Sequence, residues 1–400
     1  MSKVLIIGAG AVGGVTTHKC AQFTDIFSEI VLASRTISKC EKIADEIKTK
    51  HGVAIQTARV DADKSDQVVR LIKTHSPDLV INVALPYQNL AIMDACLETK
   101  TDYLDTACYE AYDAKGFSYK EQWEYQKKFE DAGIMALLGC GFDPGVTNVF
   151  VKYASQYHFD EIEYLDILDC NAGDHGLPFA TNFNPEINLR ELDQPGVYYK
   201  DGDWVEIPSL SVKRTFDFPE AGTKDMYVIY HEELETITKH IPGIKQARFW
   251  MTFGQSYINH LNAFKNVGLT SIEPIQYAGT EIVPIQFLKA LLPDPASLGP
   301  RTKGKTNIGC IIQGKKDGKP KSLYVYQVCD HEECYADTLS QGVAFTAGVP
   351  PVIGAALMLD GRWRKPGVFN TEELDASPFM DEMAKFGLPW KQVEDVSFEA

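Results

Sequence analysis

Residues 4–13 read Val4-Leu5-Ile6-Ile7-Gly8-Ala9-Gly10-Ala11-Val12-Gly13, and this stretch decides the fold. Its apolar run has the character of a strand buried on both faces, and the glycines that follow open a helix. In a GxGxxG turn each glycine has a separate steric task. Gly8 makes the tight turn, Gly10 lets a pyrophosphate approach the backbone, and Gly13 lets the helix pack against the strand. Ala11 and Val12 fall in the first helical turn, where free N–H groups and a partial positive charge favour phosphate. A glycine-rich turn without a ligand is the plain alternative.

Apolar runs at 30–33, 53–60, 79–85, 103–106 and 134–138 alternate with amphipathic stretches at 37–50, 67–75, 90–98 and 120–131. That alternation predicts crossover units and a doubly wound parallel sheet. Beyond Val146 the runs lengthen (161–170, 196–207, 213–216, 247–252, 305–328), with Asp201-Gly202 and Asp317-Gly318 as hairpin turns. The expected fold class is α/β. A Rossmann domain spans 1–145, an inserted mixed α+β substrate and dimerisation domain spans 146–335, and a C-terminal segment spans 336–400. The apolar stretch 335–359 is expected to form one buried helix that returns to the first domain.

The end of the second strand selects the cofactor. An NAD-preferring site carries an acid about 20 residues beyond the last glycine, on the ribose hydroxyls. Here the position reads Ala33-Ser34-Arg35-Thr36, with no carboxylate to repel a 2′-phosphate. Arg35 offers a planar fork and Ser34 a short donor, so NADP(H) is expected. Asp61, closing the third strand, is placed at the adenine amino group or as a turn cap. Ala84 and Leu85 are placed beside the ribose and nicotinamide. The loop Gly139–Asn148 follows the last strand at the carboxyl edge of the sheet, which puts Asp143 and Cys140 near the nicotinamide. Asp143-Pro144 also reads as an N-cap followed by a first-turn proline.

The net charge of −16, from 55 acidic and 39 basic residues, argues against nucleic acid as a partner and suits a cationic substrate. No apolar run approaches the length of a membrane span. The nine cysteines form no CxxC pair, so free thiols in a reducing cytoplasm are expected and a metal site is not. Cys329, Asp330, His331 and Cys334 lie close together in sequence but read as strand-end side chains.

Taken together, GAGAVG at 8–13, ASRT at 33–36, GCGFDPGVTN at 139–148 and TAGVP at 346–350 resemble the saccharopine dehydrogenase family over nearly the whole chain. The resemblance implies an oxidoreductase that reduces a carbon–nitrogen double bond. The branch it suggests performs an NADPH-dependent condensation of L-aspartate β-semialdehyde with putrescine or 1,3-diaminopropane. Its products are carboxyspermidine or carboxynorspermidine, for polyamine synthesis, and a homodimer is implied. Arg248 matches a family arginine and is assigned the substrate carboxylate, with an ordinary ion pair as the alternative; Arg190 is a second candidate. Residues 171–190 resemble the family's substrate loop, in which Asn182 can bond substrate, as can Cys140 from the junction loop. His175 and His231 are the candidate proton carriers alongside Asp143, and Asp174 or Glu186 could meet the distal ammonium.

Three other readings are weighed. A saccharopine reductase-type enzyme needs more cationic groups for its extra carboxylates. A non-catalytic NADP-binding sensor needs no second domain aimed at the nicotinamide. A homospermidine synthase, which recycles NAD, calls for the missing acid at the second strand.

Overall fold

The computed structural model describes residues 2–112 and 118–398. Its strands are β1 (Ser2–Ile7), β2 (Phe27–Ser34), β3 (Gln56–Arg59), β4 (Leu79–Asn82), β5 (Asp102–Asp105), β6 (Met135–Leu138), β7 (Glu161–Asn171), β8 (Gly196–Lys200) and β9 (Asp203–Ile207). They continue as β10 (Lys213–Phe218), β11 (Gly222–Ile229), β12 (Gln246–Thr252), β13 (Ile275–Tyr277), β14 (Thr280–Ile282), β15 (Lys305–Lys316), β16 (Lys319–Asp330), β17 (Gly367–Asn370) and β18 (Trp390–Glu394).

Seven strands form one sheet in the order β17-β6-β5-β4-β1-β2-β3, with every pair parallel. Strands β4, β5 and β6 are buried at every residue, as a sheet covered by helices on both faces requires. Strand order reverses between β1 and β4, which opens the crevice where α/β sheets bind ligands. The edge strand β3 is shorter than the apolar run 53–60 that announces it, and its outer residues are exposed.

The second sheet runs β10-β11-β12-β7-β15-β16-β18, with the hairpin β8–β9 attached beside β12. Only β7 and β12 pair in parallel along this path. Both predicted hairpin turns form, with Asp201 at φ 50°, Gly202 at 97°, Asp317 at 51° and Gly318 at 72°. Two successive left-handed residues give the twist that flanking strands prefer.

The expected single helix over 335–359 is instead divided among three: the end of His331–Thr338, which stops at the left-handed Leu339, then Gly342–Gly348 and Pro350–Leu359, which part where Pro350 removes a backbone donor. The span 342–359 has a mean hydropathy of 1.8, enough for a membrane by composition, yet 83% of it is buried inside the protein. It packs where glycines let chains touch: a Cβ on Gly348 would lie 2.7 Å from Val15, and one on Gly354 2.6 Å from Cys140 Sγ. The chain then adds β17 to the first sheet, but it does not stay there. Strand β18 crosses back and covers the edge of β16. The segment 336–400 thus joins both sheets, rather than only the first as its reading predicts.

Side chains alternate across the second sheet. Ile167 on β7 and Phe249 and Met251 on β12 enter the core shared with the first domain. Leu168 and Trp250 enter a separate core on the far face. Arg248 has the parity of Trp250 and so points away from the inter-domain crevice. Its Nε donates to Asp166 Oδ1 at 2.6 Å and its Nη2 to Oδ2 at 3.0 Å, while Trp250 Nε1 donates to the same Oδ1 at 2.7 Å. The clamp role expected of Arg248 is therefore corrected: it is a partner of Asp166, on the wrong face. Replacing Arg248 by Ala leaves Asp166 buried without its counter-charge, at a cost of about 3–5 kcal/mol. Thermal unfolding should show that loss, while nucleotide affinity stays within about twofold of wild type.

Candidate active site

A cavity of about 680 Å³ lies between the two sheets. One end is the glycine turn. Gly8 has φ +121°, and a Cβ there would lie 2.5 Å from the Val83 carbonyl oxygen. A Cβ on Gly13 would fall 2.0 Å from the Gly8 carbonyl oxygen, whereas one on Gly10 would meet nothing within 4 Å. Two glycines are thus fixed by close packing and the third faces open space, as a site for an approaching phosphate demands. The helix Ala11–Gln22 has no acid in its first turn and no side-chain cap, so its leading N–H groups remain for a ligand.

Ser34, Arg35, Asp61, Ala84 and Leu85 all line this end, with Ala11 and Val12. The guanidinium of Arg35 is 68% exposed and sits 3.9 Å from Asp63, a separation that leaves it available to a phosphate. Lys39 also lines the cavity and reaches Asp294 of the second domain at 3.1 Å. Sequence reasoning missed Lys39. The signal was present, because four residues beyond Arg35, in the first turn of the helix Ile37–His51, is close enough to serve the same phosphate.

The other end gathers acids from distant segments: Asp143 of the junction loop, Asp169 of β7, Glu191 of the helix Pro185–Asp193, and His231 with Glu232 just after β11. Asp169 shares the inward face of β7 with Ile167, which explains its aim. Asp143 is not a helix cap, contrary to its reading. The helix Val146–Tyr157 starts after Gly145, whose N–H is held by Asn148 Oδ1 at 2.9 Å, so the Asp143 side chain is left to face the cavity.

His231 stacks on Phe249 with ring centroids 4.2 Å apart. Its Nδ1 pairs with Glu233 and lies 3.4 Å from Glu232, and its Nε2 lies 3.7 Å from Glu191 Oε1. Burial alone would lower its pKa, but Glu233, Glu232 and Glu191 hold it well above the ordinary value, as an imidazolium. One cation cannot neutralise the acids around it. Burial and the neighbouring Asp169 push Asp143 well above the usual carboxylate range. Burial lifts Asp169 to about 6 and Glu191 to about 8.

Other charges on the wall are paired. Arg190 Nη2 meets Glu110 at 2.8 Å, and its Nη1 donates to the Tyr87 hydroxyl at 3.2 Å and to the Tyr112 carbonyl at 3.3 Å. Burial raises Glu110 to about 7. Lys289 holds Glu186 at 2.8 Å. Asn182 lines the cavity, and its Oδ1 is buried without a partner among the described residues.

Two further expectations are corrected. His175 does not line the cavity; its Nδ1 accepts the Leu177 N–H at 3.1 Å within its own loop. Cys140 does not line it either. Its thiol is buried against Gly354 and the Pro350 carbonyl, because that loop turns the side chain under the C-terminal helix. Asp330 caps the helix His331–Thr338, and His331 bonds Asn171 and the Gly342 N–H, which gives both structural partners.

Sequence comparison covers both halves of this arrangement. The saccharopine dehydrogenase NADP binding domain matches residues 4–137, and the saccharopine dehydrogenase C-terminal domain matches residues 141–388. The chain belongs to the saccharopine dehydrogenase family. A carboxyaminopropylagmatine dehydrogenase of Synechocystis sp. is 54% identical over 398 residues, covering 100% of this chain and 99% of that one. A carboxynorspermidine synthase of Vibrio cholerae is 45% identical over 402 residues, covering 98% and 97%. Apo saccharopine dehydrogenase (L-Glu forming) from Saccharomyces cerevisiae superposes with a TM-score of 0.74 at 15% identity, over 99% of this chain and 100% of that one, which establishes the shared fold.

This member of the saccharopine dehydrogenase family is an NADP-dependent oxidoreductase, and the glycine turn with its phosphate-ready helix fits that cofactor. Arg35 and Lys39 are the groups that can hold the 2′-phosphate. Replacing both by Ala should weaken NADPH binding by roughly 1.5–3 kcal/mol and leave NADH binding unchanged, in paired fluorescence titrations.

Proposed function

We propose that this enzyme condenses L-aspartate β-semialdehyde with a cationic amine (putrescine, 1,3-diaminopropane or agmatine) and reduces the resulting imine with NADPH. The observation that carries the reading is the excess of buried carboxyls around a single imidazolium at the reactive end of the cavity. Such a wall repels an anionic amine and attracts one that bears extra positive charge. The relatives named for carboxyaminopropylagmatine and carboxynorspermidine support it, since both names describe a carboxyaminopropyl group carried by a cationic amine.

The residues divide the proton work. The amine arrives as an ammonium and becomes nucleophilic only after losing a proton, which Asp169 accepts, while Asp143, held in its neutral form, stands beside it on the cavity wall. His231, held protonated by Glu233 and Glu232, donates towards the departing hydroxyl, so one water leaves as the imine forms. NADPH, when bound, supplies the hydride that reduces it. Asn182 bonds the substrate, and Arg190 and Lys289 supply positive charge for the semialdehyde carboxylate in place of Arg248. Met251, Ile308 and Pro144 give the site apolar walls that limit water. A saccharopine reductase-type reaction would bring further carboxylates against the same acidic wall, which disfavours it.

We place the enzyme in the cytoplasm, supported by nine cysteines that are all free and buried. We infer a homodimer as well, supported by Val267, Ile275, Tyr277, Phe287 and Leu291, which are exposed apolar side chains of one segment of the second domain.

NADPH oxidation should require semialdehyde and amine together, and His231→Gln should lower kcat by about 10²–10⁴-fold. Turnover with either substrate alone would refute the reading. The raised carboxyls also set a pH dependence. Their folded pKa values lie above the unfolded ones, so the stability they contribute is full at low pH and is lost as pH rises through about 6 and about 8. The melting temperature of the free enzyme should fall across that window, and a saturating cationic amine should flatten the fall.

A further inference from the structure

Four acids in and around the reactive end have donor partners within the protein. Glu233 holds His231 and accepts from Thr147 Oγ1, and Glu232 Oε1 accepts the Cys108 N–H at 3.3 Å. Glu110 holds Arg190 and Glu186 holds Lys289. Among the described residues, Oε1 of Glu191 is buried with no hydrogen-bond partner, on a side chain only 8% exposed that lines the cavity. A buried acceptor without a donor costs about 1–3 kcal/mol. Such a cost persists where a ligand brings the missing donor.

Resting on the reductive-condensation reading, we propose that Glu191 is the seat for the positively charged terminus of the amine substrate farthest from the reacting nitrogen. An N–H donor of either ammonium or guanidinium type fits. The surroundings require that donor to be cationic. Facing Glu191 are His231, Glu232 and Glu233 from the segment after β11, Asp169 from β7 and Asp143 from the junction loop. Tyr257, on the helix Gln255–Asn266, also senses it, but its hydroxyl is spent on Asn188. The imidazolium sits 3.7 Å away, too far for a strong hydrogen bond.

Charge makes the seat selective. Burial lifts the Glu191 carboxyl to about 8, so near neutral pH it is largely protonated when empty. An incoming cation favours the ionised form and expels that proton. A monoamine of similar length brings no second charge and gains nothing from the seat.

The test compares putrescine, agmatine and butylamine on the wild-type enzyme, Glu191→Gln and Glu191→Asp. For Glu191→Gln, kcat/KM should fall by about tenfold or more with putrescine or agmatine, yet stay within about threefold with butylamine. Glu191→Asp, which keeps the charge, should retain part of the preference. A larger loss with agmatine identifies a guanidinium seat, and a larger loss with putrescine an ammonium seat. Calorimetry of putrescine binding to the NADPH complex, in two buffers of different ionisation enthalpy, should show proton release by wild type and less by Glu191→Gln. An equal loss with butylamine, or an unchanged preference, overturns the assignment. If the wild-type enzyme oxidises NADPH with no amine, the condensation reading fails by itself, and calorimetric preference for putrescine over butylamine then decides the seat.

Discussion

One buried cation faces more carboxyls than it can neutralise, and the rest of the molecule is arranged around that imbalance. His231 is fixed by the Phe249 ring beneath it and by Glu233 beside it. Asp143, Asp169, Glu191 and Glu232 crowd the same space, and each is pushed towards its neutral form. In an empty site the surplus is relieved by protons, since paired ionised carboxylates in a dry pocket are costly. A cationic ligand relieves it better. The seam between the domains must therefore hold still while charge comes and goes, and several devices hold it. Glu232 accepts a backbone N–H from the first domain, Arg190 pins the loop that carries Glu110, and β18 returns the chain end to the second sheet.

The cavity has two ends of opposite character. At β2 the groups are Arg35 and Lys39, with helix N–H donors close by, and no acid stands in the first helical turn. At the reactive end the surplus is negative. This polarity orients a phosphorylated dinucleotide without ambiguity, because its anionic end is welcome at one side only. With the dinucleotide bound, that polarity would set its nicotinamide end beside His231 and Asp169, the groups proposed to move protons. Gly8 and Gly13 secure the frame through contacts a methyl group would break, and Gly10 keeps the opening.

Much of the frame is legible in the sequence because it is local. The glycine turn, the strand before it and the missing acid at Ser34–Arg35 lie within short stretches, and the structure puts all of them along one cavity wall. The substrate end is assembled from residues 143, 169, 191 and 231, on four separate elements, and no spacing rule joins them. Asp143 and His231 could be singled out by type, but Asp169 and Glu191 could not. The error at Arg248 was avoidable in principle. Phe249 and Met251 face inward, and strand alternation then sends Arg248 outward with Trp250. His175 and Cys140 misled for another reason: a loop residue near the site in sequence can be consumed by its own turn or by a helix from the far end of the chain.

The central claim is that the acidic end of the seam receives the cationic arm of a secondary amine. The most direct measurement is a crystal structure with NADP and the secondary-amine product bound together. The account predicts the charged arm of the product among Asp169, Glu191 and His231, with its carboxylate turned towards Arg190 or Lys289. A product carboxylate lodged among those acids, or a product bound outside the seam, would contradict it.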